Sequence, residues 1–122
     1  MIIAVNIEGD LVGTVLGRAL SMAVAEVEQG QITSWEEYEV RWDLSHDQIE
    51  TPTGDLPAET IASHHARVAS FMTEHQAEAV VTGTAGEPIV EILARLGIPV
   101  ITDVHGDARQ AAIAAANQVR AS

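Results

Sequence analysis

The chain has 122 residues, no cysteine and a formal charge of −12, with 18 acidic side chains against six basic ones, all arginine. That length suits a single domain over residues 1–122, whose core needs no covalent staple. A hydrophobic content of 47% sets it among globular rather than disordered chains. Lack of cysteine excludes disulfides and thiolate metal sites within the chain, so a metal would need His, Asp, Glu or backbone donors. The negative charge repels phosphate backbones and anionic bilayers, which argues against nucleic-acid and membrane partners. Met1 leads straight into IIAVNI with no basic leader, and no apolar run approaches the ~20 residues that span a bilayer, so the expected location is cytoplasmic.

In chain order, residues 2–7 are β-branched and apolar, as in a strand buried on both faces. Residues 8–13 read as a glycine-punctuated loop. Residues 19–27 alternate, Leu20, Met22 and Val24 against Ser21, Ala23 and Ala25, and predict a second strand. Glu28-Gln29-Gly30-Gln31 is a hairpin turn with Gly30 supplying a positive φ. A third strand runs over 32–42. Its phase breaks between Trp35 and Tyr38, which predicts a bulge or a short break near Glu36-Glu37. Residues 43–57, with Pro52, Gly54, Pro57 and His46, read as a surface loop. Asp55 or Thr60 then starts a helix over 59–75 with the stripe Ile61, His65, Val68 and Met72.

Residues 79–81 form a short buried strand. Residues 88–96 form a helix with Ile89, Ile92, Leu93 and Leu96 on its apolar face and Gly97 as its left-handed terminator. A last strand at 98–101 and an alanine-rich helix at 107–120 complete the chain. The order β-β-β-α-β-α-β-α predicts an α/β fold: a mixed five-stranded sheet with helices on both faces and parallel strands in its second half.

Several groups carry candidate chemistry. Thr82-Gly83-Thr84-Ala85-Gly86 follows a strand and opens a helix, where free N–H groups and the helix dipole favour an anion; Glu87 in the first turn opposes one. A plain tight connection explains the same residues. Asp103 and His105 flank Val104 past the last strand, and an extended segment would set them on one side. The bland alternative has Asp103 or Asp107 capping the terminal helix. Both segments fall at strand carboxyl ends, the expected ligand crevice of an α/β sheet. Arg18 offers a fork for a cofactor carboxylate, or a salt bridge to an acidic neighbour. His64 and His65 diverge by ~100° on a helix, so His65 belongs to the core edge while His64, with His105, is a candidate metal ligand. Trp35, Tyr38 and Trp42 are packing anchors, or a homodimer contact if their strand lies at an edge.

The element order is similar to the ribonuclease-H-like arrangement. Four segments, the opening IIAVNI, Gly17-Arg18-Ala19, VVTGTAGEPIVEILARLGIPVI and the closing helix, resemble the dinitrogenase iron-molybdenum cofactor biosynthesis family, the nitrogenase accessory factors. The resemblance implies a non-enzymatic carrier that binds, stores or delivers an iron-molybdenum or iron-sulfur-type cluster or its precursor, with a protein acceptor. The candidate cofactor contacts are then Arg18, Thr82, Gly83, Thr84, Gly86, Asp103 and His105. Val15-Leu16 stand where the family often has His-Phe. That difference and the absent cysteine favour an alternative, a regulatory or interaction module that keeps the fold without the cofactor. Nuclease chemistry is disfavoured, since the first strand offers Asn6 where a metal-binding carboxylate is needed, with Glu8 and Asp10 beyond its end.

Overall fold

The computed structural model describes residues 1–42 and 58–121, with side chains described for 1–42 and 65–120. The expected loop at 43–57, with His46 and Asp55, and the side chains of Thr60, Ile61 and His64 lie outside the described residues.

The elements are β1 (Ile2–Glu8), β2 (Leu11–Val12), a 3-10 turn (Leu16–Arg18), β3 (Ser21–Glu28), β4 (Gln31–Glu39), α1 (Ala58–Glu74), β5 (Ala79–Val81), α2 (Glu87–Arg95), β6 (Val100–Ile101) and α3 (Ala108–Ala121). They form one six-stranded mixed sheet in the order β4-β3-β1-β5-β6, with β2 paired to β1. β1 is antiparallel to β3 and parallel to β5, which is parallel to β6.

The strand more than expected is β2. Gly9 takes a positive φ and turns the chain so that Ile7 pairs with Val12 and Glu8 with Leu11. Two residues carry too short a pattern to announce a strand; the pairing comes from β1 already being in place.

β1 serves both faces. Ile3, Val5 and Ile7 pack with Ala23, Ala25 and Val27 under α3, which meets the sheet through Ala108, Ala111, Ala112, Ala115 and Ala116. A row of methyl groups lets the helix lie close to the strands. Ala4 faces the other layer, where Met22 and Val80 pack against Val68 and Met72 of α1 and Ile89 and Leu93 of α2.

The β3–β4 turn has positive φ at both central residues, Gln29 (53°) and Gly30 (75°), the type I′ signature that matches strand twist. The bulge expected at Glu36-Glu37 is absent there. Pairing runs without a break from Ser21–Glu39 to Glu26–Ser34, and the register shifts only at Glu26/Val27, leaving Thr33 as the extra residue. The change of phase in the sequence has another cause. β4 has a protein layer on each face, so Trp35 packs in the α3 layer while Tyr38 meets Phe71 of α1, ring centroids 5.7 Å apart.

α2 ends as the sequence predicts. Gly97 has φ 80°, and the Ile98 and Gly97 amides donate to the Leu93 and Ala94 carbonyls in a Schellman closure. Leu96, expected on the apolar face, is instead exposed.

Candidate functional site

The carboxyl ends of β1, β5 and β6 point the same way, and three segments meet there. The first is a strap, residues 13–16, that continues β2. The second is the glycine loop 82–86 after β5. The third is the loop 102–107 after β6. The Asp103 amide donates to the Gly83 carbonyl at 2.7 Å and Val104 to Thr82 at 3.4 Å, so the second and third segments touch directly. The third then crosses to β2, where Val12 donates to Gly106 and Ala108 to the Asp10 carbonyl, both at 2.9 Å.

The glycine loop differs from its expected form. Its Gly83 amide donates to the Gly13 carbonyl at 2.9 Å, and the Thr84 amide donates to Thr14 at 2.6 Å. The Thr84 hydroxyl donates to the same Thr14 carbonyl at 3.1 Å. Leu16 returns a bond to the Thr84 carbonyl at 3.0 Å. Three donors expected to be free for an anion are therefore committed to the strap. Gly83 is needed for this contact, since a Cβ there would lie 2.7 Å from the Thr14 carbonyl oxygen. Among the described residues the amides of Ala85, Gly86 and Glu87 carry no such bond, and Gly86 is the N-cap of α2, where an added Cβ would meet only Pro88, at 3.8 Å.

Beneath the strap lies a polar pair. Asn6, 1% exposed, donates through Nδ2 to the Thr82 hydroxyl at 3.1 Å, and Thr82, fully buried, donates on to the Thr84 carbonyl at 3.1 Å. Asn6 Oδ1 is buried with no partner among the described residues. Gly13 presses on it, and a Cβ at Gly13 would collide with Oδ1. Asn6, Gly13 and Thr14 were not candidate cofactor contacts from sequence. The available signal was one amide in the otherwise apolar run IIAVNI.

Arg18 ends the 3-10 turn and is exposed. It lines a cavity of about 190 Å³ with Asn6, Glu8, Thr14, Val15, Ala19 and Leu20. Thr14 donates its hydroxyl to Glu8 there, at 3.2 Å. Asp103 and His105 are both exposed. Asp103 has φ 61°, so the segment is not extended and the simple alternation expected of the pair does not apply. Asp107 is the cap of α3: its Oδ1 accepts from the Gln110 amide at 2.9 Å. Among the described residues no three His, Asp or Glu side chains are grouped to hold a metal ion. His105 thus has no ligand set among them, and the His64 side chain lies outside the described residues.

The sequence profile of the family described as dinitrogenase iron-molybdenum cofactor matches residues 1–119. The chain belongs to that family. No curated protein matches the sequence. Among solved structures, the fold is shared with the crystal structure of PH0822 at a TM-score of 0.68 and 23% identity, over 98% of this chain and 92% of that one. It is shared with the apo form of the orange protein from Desulfovibrio gigas at 0.66 and 20% identity, covering 98% and 88%. A putative NifB protein from Thermotoga follows at 0.55 and 17%, covering 98% and 89%. No helix among the described residues is long and apolar enough to cross a membrane.

Proposed function

We propose that this member of the iron-molybdenum cofactor family is a carrier, which holds a small anionic metal–sulfur cofactor, or a precursor of it, at the carboxyl rim of the sheet and passes it on unchanged. The observation that carries this reading is the direct contact of the glycine loop with the loop after β6, the Asp103 amide on the Gly83 carbonyl, in a chain of this family. It groups Thr84, Gly86 and the open α2 N-terminus with the His105 loop on one rim, and Arg18 lies three residues beyond Val15, which bridges to Thr84.

With no cysteine in the chain, a metal–sulfur cargo would keep its own ligands and be held by hydrogen bonds and charge. Arg18, His105 and the amides of Ala85, Gly86 and Glu87 are the donors in this reading. Asp103 and Glu87 oppose an anion and would limit affinity, as fits a cargo that must be released.

The test is metal analysis and absorption spectroscopy of protein purified without oxygen, followed by equilibrium dialysis with molybdate and reconstitution with iron and sulfide. The expected result is about one cargo per chain, lost or weakened at least about tenfold in Arg18→Gln and His105→Ala, as for a charge-assisted contact of about 1.5–3 kcal/mol. Absence of bound metal and of molybdate binding overturns it.

A second reading is a regulatory or interaction module without cofactor. It is favoured by one observation: the strap already fills the Gly83 and Thr84 donors. Recovery of a stable protein partner by a chain that binds neither molybdate nor an iron–sulfur species would select it.

A further inference from the structure

We infer that residues 13–16 act as an internal stand-in for the anion: they close the glycine loop, and an anionic ligand must lift them to reach its full set of donors. This rests on the anion-binding reading above and adds to it a closed and an open state of the same loop.

The donors of the Gly83 amide, the Thr84 amide and the Thr84 hydroxyl all end on strap carbonyl oxygens. A carbonyl oxygen and an oxyanion oxygen are acceptors of the same kind, so strap and ligand compete for the same three bonds. The closed state also carries a defect. Asn6 Oδ1 is sealed under Gly13 with no donor, and an unsatisfied buried acceptor disfavours the arrangement that seals it. Lifting the strap admits water to Oδ1, so part of what is lost at Gly83 and Thr84 is regained at Asn6.

The ends of the strap are fixed. Val12 belongs to the β2 pairing and is 8% exposed, and Leu16 is fully buried in the α1–α2 layer. The Gly13 amide also donates to the Asn6 carbonyl at 2.6 Å, so the movement is confined to the carbonyl side of Gly13, Thr14 and Val15. Gly13 permits the close approach to Asn6, and its backbone freedom lets the chain turn beyond that bond.

The test uses amide NMR of the full chain titrated with molybdate. In the native protein the Gly83, Thr84 and Thr14 amides should shift together and saturate. Gly13→Ala cannot close over Asn6 Oδ1, so the strap is held off and molybdate should bind on the order of tenfold tighter, since the competent state no longer has to be recruited. Asn6→Ala added to Gly13→Ala makes room for the methyl group and should bring the affinity back toward the native value. Shifts confined to Ala85, Gly86, Glu87 and Arg18, with Gly13→Ala binding like the native protein, overturn the strap while leaving anion binding in place. No saturable shift in either protein overturns both. Should Gly13→Ala not fold, the native titration decides alone, by whether Gly83 and Thr84 move.

Discussion

Asn6 and Thr82 stand side by side on β1 and the end of β5, joined at 3.1 Å, and they are the buried polar side chains among the described residues. The bond fixes which way the amide points, because the Thr82 hydroxyl already donates to the Thr84 carbonyl and must accept from Nδ2. Oδ1 is the atom left over. Removing one partner and removing the misfit should therefore have different consequences. Thr82→Val strips a partner from Asn6 Nδ2 and from the Thr84 carbonyl and should cost about 1–3 kcal/mol. Asn6→Leu, of similar size, removes the orphaned oxygen while the Thr82 hydroxyl keeps its acceptor, and should cost less than Thr82→Val. Urea unfolding of both variants checks the order. Equal losses, or a larger one for Asn6→Leu, would contradict the assignment.

The alanines of α3 set the spacing between helix and sheet. Ala112 and Ala116 are fully buried against strands whose own inward residues include Ala23, Ala25 and Ala79, so no cavity awaits a larger group. Ala112→Leu forces the helix outward and should destabilise by about 1–3 kcal/mol. Ala114→Leu, two residues on at an exposed position of the opposite face, is the matched control and should change stability by no more than about 0.5 kcal/mol. Thermal unfolding of the pair reads the difference.

Gly97 and Gly13 separate two reasons for glycine. At Gly97 a Cβ meets nothing within 4 Å, so only the φ of 80° opposes a side chain. Gly97→Ala should cost about 1 kcal/mol, the price of left-handed backbone. It should leave molybdate binding as it was, in contrast with Gly13→Ala, where the obstacle is Asn6. Denaturation midpoints and dialysis on the two variants distinguish the cases.

Much of this architecture was legible because local rules and the fold agree. The β-branched, apolar run of β1, the turn at Gly30, the stripe of Val68 and Met72 and the Gly97 terminator each need only their own neighbours, and the β-β-β-α-β-α-β-α order follows from them. The failures are where a residue answers to something distant. Trp35 and Tyr38 are out of phase because each meets protein on its own face of β4, Trp35 in the α3 layer and Tyr38 at Phe71, a fact of the whole sheet. Leu11 and Val12 are a strand only because β1 lies beside them. The amides of Gly83 and Thr84 looked available because no local rule shows that residues 13–14, about 70 positions earlier, come to lie on them. Asp103 adopts φ 61° where alternation predicted extended chain, since its amide is drawn to the Gly83 carbonyl.

Tyr38 gives a pH test with a clean signal, for it is the sole tyrosine. Its hydroxyl donates to the Glu36 carboxylate, and its ring meets Phe71 and His75, with the His75 centroid at 4.6 Å. The hydrogen bond to Glu36, then burial, then the negative charge of Glu36 raise the phenol above its ordinary value. The neutral, donating form is the one favoured in the folded chain. The contribution to stability is therefore complete below the ordinary tyrosine range and is lost as the pH climbs through the raised folded value. The phenolate absorbance of the folded protein should titrate with a midpoint above ~10, the value of a free tyrosine. Glu36→Gln removes the charge and weakens the acceptor, and the midpoint should fall back toward the free value while the strand remains paired. A native midpoint no higher than that of Glu36→Gln would mean that the Tyr38–Glu36 bond does not persist in solution.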